Sequence, residues 1–134
     1  MKKLAILFIP IFLFGCTATT SIEDTAVEVE EVLAMIDSVE VVFVEKAPLL
    51  MEAIVKGNYK NDCESHHKTK ATHLFQEKTF EIKMTTQMTQ PEEGETCIEG
   101  LVPFEEVVGL PSGGVGAGEY KLVANGVESM FTIE

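Results

Sequence analysis

A chain of 134 residues holds one domain, not two. Hydrophobic residues make up 46% of it, enough for a core; with 7% aromatics and no Trp, that core rests on Val, Ile, Leu, Met and Phe. Ten lysines and no arginine stand against 22 acidic residues, and the net charge of -12 excludes nucleic acid as a partner and a polybasic membrane patch as an anchor.

Met1-Lys2-Lys3 is a short basic start, and residues 4–14 form an apolar run broken only by Pro10. A spanning helix needs about 20 such residues, so this run has the length of a signal-peptide core instead. It ends in Leu13-Phe14-Gly15-Cys16, which resembles the lipobox of bacterial lipoproteins. Leu13 stands three residues before the cysteine and Gly15 is the small residue just before it, while Phe14 is bulkier than that family's usual residue. The resemblance implies cleavage ahead of Cys16, a mature chain of residues 16–134 and acylation of Cys16. Three acyl chains anchor firmly where one binds only marginally. Thr17 occupies the place where an Asp tends to hold such proteins in the inner membrane. The expectation is therefore a cell-envelope protein, in the outer membrane if the host is Gram-negative. A plain secretory signal with an incidental cysteine, or a buried apolar segment, is the alternative.

Residues 16–37 read as the lipid anchor followed by a solvated acidic tether, with Glu23, Asp24, Glu28, Glu30 and Glu31. Val29, Val32, Leu33 and Ile36 have the spacing of a short helix face, or lead into a first strand. The folded domain is expected over 38–134. Val39, Val41 and Phe43 alternate with polar or outer positions, and Leu49, Met51, Ala53 and Val55 share one face. Phe80, Ile82 and Met84 alternate with Glu81, Lys83 and Thr85, the pattern of a half-buried strand. Tyr120, Leu122 and Ala124 point inward from a strand that reaches Asn125-Gly126, a strong hairpin signal because both central positions of a type I′ turn need positive φ. Val127, Phe131 and Ile133 line the return strand, with Lys121, Glu128 and Thr132 outside. Weaker strands are expected over 67–76 and 98–108. Turns are expected at Lys46-Ala47-Pro48, Gly57-Asn58, Glu77-Lys78, Pro91 to Gly94 and Pro111 to Gly118. About seven short strands predict an all-β fold, a two-sheet antiparallel immunoglobulin-like β-sandwich, with a small barrel as competitor.

With Cys16 assigned to lipid, Cys63 and Cys97 remain, and an even pair in an exported chain reads as a disulfide. A loop of that length contributes roughly 3–4 kcal/mol on the chain-entropy account. Each cysteine lies near a strand end, so the bond staples loops rather than the sandwich centre. The run from Val39 to Ile133 resembles a group of small exported bacterial domains. The resemblance rests on Gly57 to Cys63, Cys97, Pro103-Phe104-Glu105-Glu106, Gly118-Glu119-Tyr120, Asn125-Gly126-Val127 and Phe131-Thr132. It implies an extracytoplasmic β-sandwich with a disulfide and no assigned activity. The glycine-rich stretch Pro111 to Gly118 departs from that pattern.

Candidate chemistry is sparse. Cys63, His66, His67 and His73 have residue types that suit zinc or copper. Adjacent His66 and His67 are expected on opposite faces of a strand, and His67 and His73 about 20 Å apart along it, so solvated loop histidines are the favoured reading. Pro91-Glu92-Glu93-Gly94-Glu95 reads as a solvated acidic turn rather than a calcium loop. Residues 111–118 lack the helix N-terminus and lysine of a phosphate loop. Immunoglobulin-like cysteine-protease inhibitors of the chagasin type use a glycine-rich loop at one end of the sandwich, which makes inhibition through 111–118 an alternative function. Periplasmic metal handling through His66, His67 and His73 is another. Glu105 and Glu106 point to opposite faces of a strand and make a poor catalytic dyad. The expectation is a non-enzymatic, cofactor-free envelope module, tied to the membrane by lipid, whose partner is an envelope protein or glycan.

Overall fold

The computed structural model describes Gly15 and residues 31–134; the rest of the expected signal sequence, Cys16 and most of the tether lie outside the described residues. Eight strands run as β1 (Val32–Leu33), β2 (Met35–Lys46), β3 (Leu49–Asn61), β4 (Glu64–Leu74), β5 (Thr79–Met88), β6 (Glu99–Leu110), β7 (Gly118–Ala124) and β8 (Val127–Ile133). A single 3-10 turn, Phe75–Glu77, separates β4 from β5. Strands β2, β3 and β6 form a three-stranded sheet, and β1, β4, β5, β7 and β8 form a five-stranded one. The two faces close over one core, as expected for a β-sandwich. Among the described residues no helix is long and apolar enough to cross a membrane.

Alternation decides which side chains enter that core. Met51, Ala53 and Val55 on β3 face Phe80, Ile82 and Met84 on β5, and all six are buried. Tyr120, Leu122 and Ala124 on β7 and Ile133 on β8 complete the buried set on the larger sheet, with Phe131 packed against it. The aromatic rings concentrate there: Phe80 lies 5.7 Å from both Tyr120 and Phe131, centroid to centroid. Glu128 and Thr132 are exposed and Lys121 lies outside, paired with Glu128 at 3.6 Å. The C-terminal hairpin thus has the inward and outward sets that its alternation predicts. Its turn also follows expectation, since Asn125 and Gly126 both take positive φ.

Three departures have physical causes. Residues 32–37 are not tether: β1 pairs with β5 through Val32↔Thr86 and Leu33↔Thr85, and Ala34 and Ile36 are buried. The folded domain begins before residue 38 because these apolar side chains cover one end of the core. Gly57-Asn58 is not a turn but the middle of β3. Gly57 is there for space, because a Cβ would run into the Met35 carbonyl oxygen and lie 2.7 Å from the Phe104 ring. The ladders are antiparallel except one, for β5 and β7 pair in parallel from Thr79↔Lys121 to Ile82↔Ala124.

That parallel pair creates a problem of continuity. β4 occupies one edge of β5 along its whole length. The other edge is shared end to end by β7, over residues 79–82, and β1, over residues 85 and 86. Asn125 fills the junction. Its backbone N–H donates to Ile82 O at 3.1 Å. Its side-chain amide donates to Ala34 O at 2.9 Å and Met84 O at 2.8 Å, and its Oδ1 accepts from Met84 N at 3.0 Å. Backbone groups that would be orphaned between two partner strands are therefore satisfied by one side chain.

This assignment predicts an outcome for Asn125→Gly. Glycine keeps the positive φ of the turn and removes only the side-chain bonds. The variant should lose about 2–3 kcal/mol, the sum of three hydrogen bonds at roughly 1 kcal/mol each. Denaturant unfolding measures it, and a loss below about 0.5 kcal/mol would show that the junction is held by other means.

Candidate functional site

The sandwich has two ends, separated by the length of β5, whose ten residues span roughly 30 Å. At one end, Cys63 and Cys97 form a disulfide with Cα atoms 5.5 Å apart. It joins the β3–β4 turn to the loop before β6, so it staples loops as the sequence predicts. Asn61 Oδ1 shapes that turn by accepting from the N–H of Cys63 and of Glu64. Asp62 Oδ1 accepts from Ile98 N at 2.7 Å, and Thr89 N donates to Cys63 O at 2.9 Å. Beside it, the Glu64 carboxylate is buried and accepts from Thr86 Oγ1 at 2.6 Å and from Lys60 N.

The opposite end is built by residues 111–117, the β2–β3 turn at Ala47-Pro48 and the 3-10 turn. Val115 N donates to Ser112 O at 3.3 Å, closing a turn around Gly114 at φ +75°. Gly118 takes φ +146° as the chain enters β7. Both values favour glycine, which accounts for Gly114 and Gly118. Tyr120 then props the loop: its hydroxyl donates to Gly116 O at 2.8 Å, four residues back, while its ring stays in the core. An immunoglobulin-type tyrosine corner makes the same kind of contact.

At this end the glycine-rich loop, the ends of β2 and β8 and the start of β3 border a half-open cavity of about 410 Å³. Phe43, Leu49, Val115, Ala117 and Ile133 form its apolar wall, and Lys46 and Glu134 are its ionisable side chains. Such a volume, lined by polar and apolar surface in equal measure, suits a small ligand or a single side chain of a partner. Phe75 stands nearby at 63% exposure, close enough that a Cβ on Gly114 would lie 3.9 Å from its ring.

Residues 53–133 match the ORF11 beta-sandwich domain. The chain belongs to that family. The match runs from within β3 to the end of β8, so β1 and β2 complete the ORF11 beta-sandwich domain from outside the matched segment. No curated protein and no solved structure matches the chain.

The histidines of this ORF11 beta-sandwich domain do not meet at one point. All three lie on β4 and are half-buried, so they are not solvated loop residues. A bulge between His66 and Lys68 breaks the simple alternation. His66 Nε2 is 2.6 Å from Thr69 Oγ1, and His67 Nδ1 is 3.2 Å from Gln87 Oε1. His73 sits near the far end of the strand. Its ring lies flat on Phe80, at 4.3 Å and 5°, and touches Phe75 at 3.9 Å. Among the described residues the one group of three potential ligand atoms is Asp62, Cys63 and Cys97, and its two sulfurs are joined to each other. Glu105 is exposed, 3.8 Å from Lys56, and Glu106 is half-buried, so the pair faces opposite ways as expected. Sequence reasoning passes over Tyr120 as a prop, Phe75 as a surface ring and the buried Glu64, because none belongs to a motif.

Both ring nitrogens of His73 are buried without a hydrogen-bond partner among the described residues, and burial pushes its pKa down from the usual histidine value. Above about pH 7 the ring is neutral in folded and unfolded chains alike. As the pH falls through about 6.5, the unfolded chain takes up a proton that the folded one resists. Stability should therefore decline between pH 7.5 and 5.5. His73→Phe, which keeps the stacking, should flatten that decline in melting experiments. An equal slope in both proteins would place the titration elsewhere.

Proposed function

We propose that this protein is a lipid-anchored envelope module whose ORF11 beta-sandwich domain binds a partner with its glycine-rich end and catalyses no reaction. The observation that carries the reading is the placement of the two ends. The chain enters through Val32, which pairs with Thr86, and Thr89 N bonds Cys63 O close by. The entry is therefore on the disulfide side, while the cavity and exposed Phe75 lie roughly 20 Å or more away along β5. An anchor at Cys16 would hold the disulfide end toward the membrane and leave the cavity free. The chain's excess of acidic residues would keep it off anionic lipid headgroups. The cavity's ionisable side chains are one lysine and one glutamate, which can orient a polar ligand.

Cys16→Ser should move the protein from the membrane fraction to the soluble fraction, or leave it unprocessed with its signal sequence attached. Fractionation with mass measurement of the product decides this. Unchanged partitioning and unchanged processing together would remove the anchor from the proposal.

A further inference from the structure

The sharpest charge anomaly in this acidic domain lies on the outer face of the five-stranded sheet. Lys70 on β4 and Lys83 on β5 stand directly opposite each other. Like charges so placed repel, with side chains about 5 Å apart at Cβ. Both are exposed, and among the described residues neither makes an ion pair. Lys68 follows on the same face of β4, opposite Thr85. The three lysines, His67 and Thr85 border a shallow depression of about 470 Å³.

One carboxylate already sits in it. Glu31 Oε1 accepts from Lys68 Nζ at 3.3 Å and lies 3.6 Å from His67 Nε2. Lys68 holds the Glu31 carboxyl below its usual pKa, with weaker pulls from His67 and Lys83. Glu31 thus stands where a ligand's carboxylate would stand, and among the described residues no carboxylate pairs directly with Lys70 or Lys83.

We propose that this patch binds a compact di- or tricarboxylate, which bridges Lys70 and Lys83 and displaces Glu31 from Lys68. The count of charges sets the class. One carboxylate has two oxygens and meets two ammonium groups, so the third lysine calls for a second carboxylate. Flexible lysines act as point charges and suit carboxylates of varied orientation. The ligand is small because the patch is small: Glu81, two residues from Lys83 on the same face of β5, marks its edge and would repel a longer polyanion. The net charge of -12 does not prevent the encounter at physiological ionic strength, where a Debye length of about 8 Å leaves the nearest lysines in control. The site is independent of the glycine-rich end, and its failure would leave the reading of that end intact.

Citrate is the probe, titrated calorimetrically into the full-length protein in an uncharged detergent at physiological ionic strength. Saturable binding is expected, weakening as salt is raised, and with it a higher melting temperature. Lys70→Ala with Lys83→Ala should weaken it about tenfold, and Lys121→Ala, which removes a lysine paired elsewhere, by less than about twofold. Glu31→Gln should tighten it about threefold, because the internal competitor is gone. No detectable citrate binding overturns the site. Equal losses in the Lys121 and Lys70/Lys83 variants would reduce it to bulk charge attraction. Weaker or unchanged binding in Glu31→Gln overturns the displacement of Glu31. Acetate or inorganic phosphate binding as tightly as citrate overturns the multidentate carboxylate.

Discussion

A strand in a sheet has two edges, and β5 must offer one of them to two partners that run in opposite directions. β7 lies parallel to it and β1 antiparallel, so their hydrogen-bonding patterns cannot merge at the meeting point. The amide of Asn125 has two donors and an acceptor, and it supplies both kinds of contact there. The core depends on this join. β1 brings Ala34 over one end of it, and β7 brings Tyr120 and Leu122 across the centre. One residue thus serves as hairpin turn and as splice between strands 91 and 41 positions away.

Where burial is set by alternation, the sequence is transparent. The hairpin from Tyr120 to Ile133 has its register fixed by Asn125-Gly126, and Tyr120, Leu122, Ala124, Val127, Phe131 and Ile133 face the core or lie against it, while Met130 points out. The splice is not legible, because Asn-Gly advertises only the turn. Gly57-Asn58 misleads for the same reason: glycine marks turns in sequence, but here it makes room for the Phe104 ring and the Met35 backbone. The parallel pairing of β5 and β7 leaves no local mark at all. His73 reads as polar and is packed as an aromatic, a choice made by Phe75 and Phe80 rather than by its own chemistry.

The candidate site is legible only in its ingredients. Four glycines between Pro111 and Gly118 announce a loop, and the structure adds the prop from Tyr120 that gives it a shape. Apolar walls come from the β2–β3 hairpin, the glycine-rich loop and β8, which are far apart in sequence, so no single motif could enclose them. Charge follows the same logic. The excess of acid is plain from composition, whereas the facing of Lys70 and Lys83 exists only once β4 and β5 are in register.

The sandwich also has a mechanical character. β2 is laid along β3 from Met35↔Asn58 to Lys46↔Leu49, with its first residue at the side where the chain enters. Tension drawn through the N-terminal end would meet the two-residue β1–β5 pair first and the long β2–β3 ladder only after it. Behind it, the bond between Cys63 and Cys97 seals β4 and β5 into a covalent loop of sequence separation 34. Even a fully stretched domain could not pay out that segment, which is roughly 110 Å of chain. Extension under load would therefore come from the residues outside 63–97.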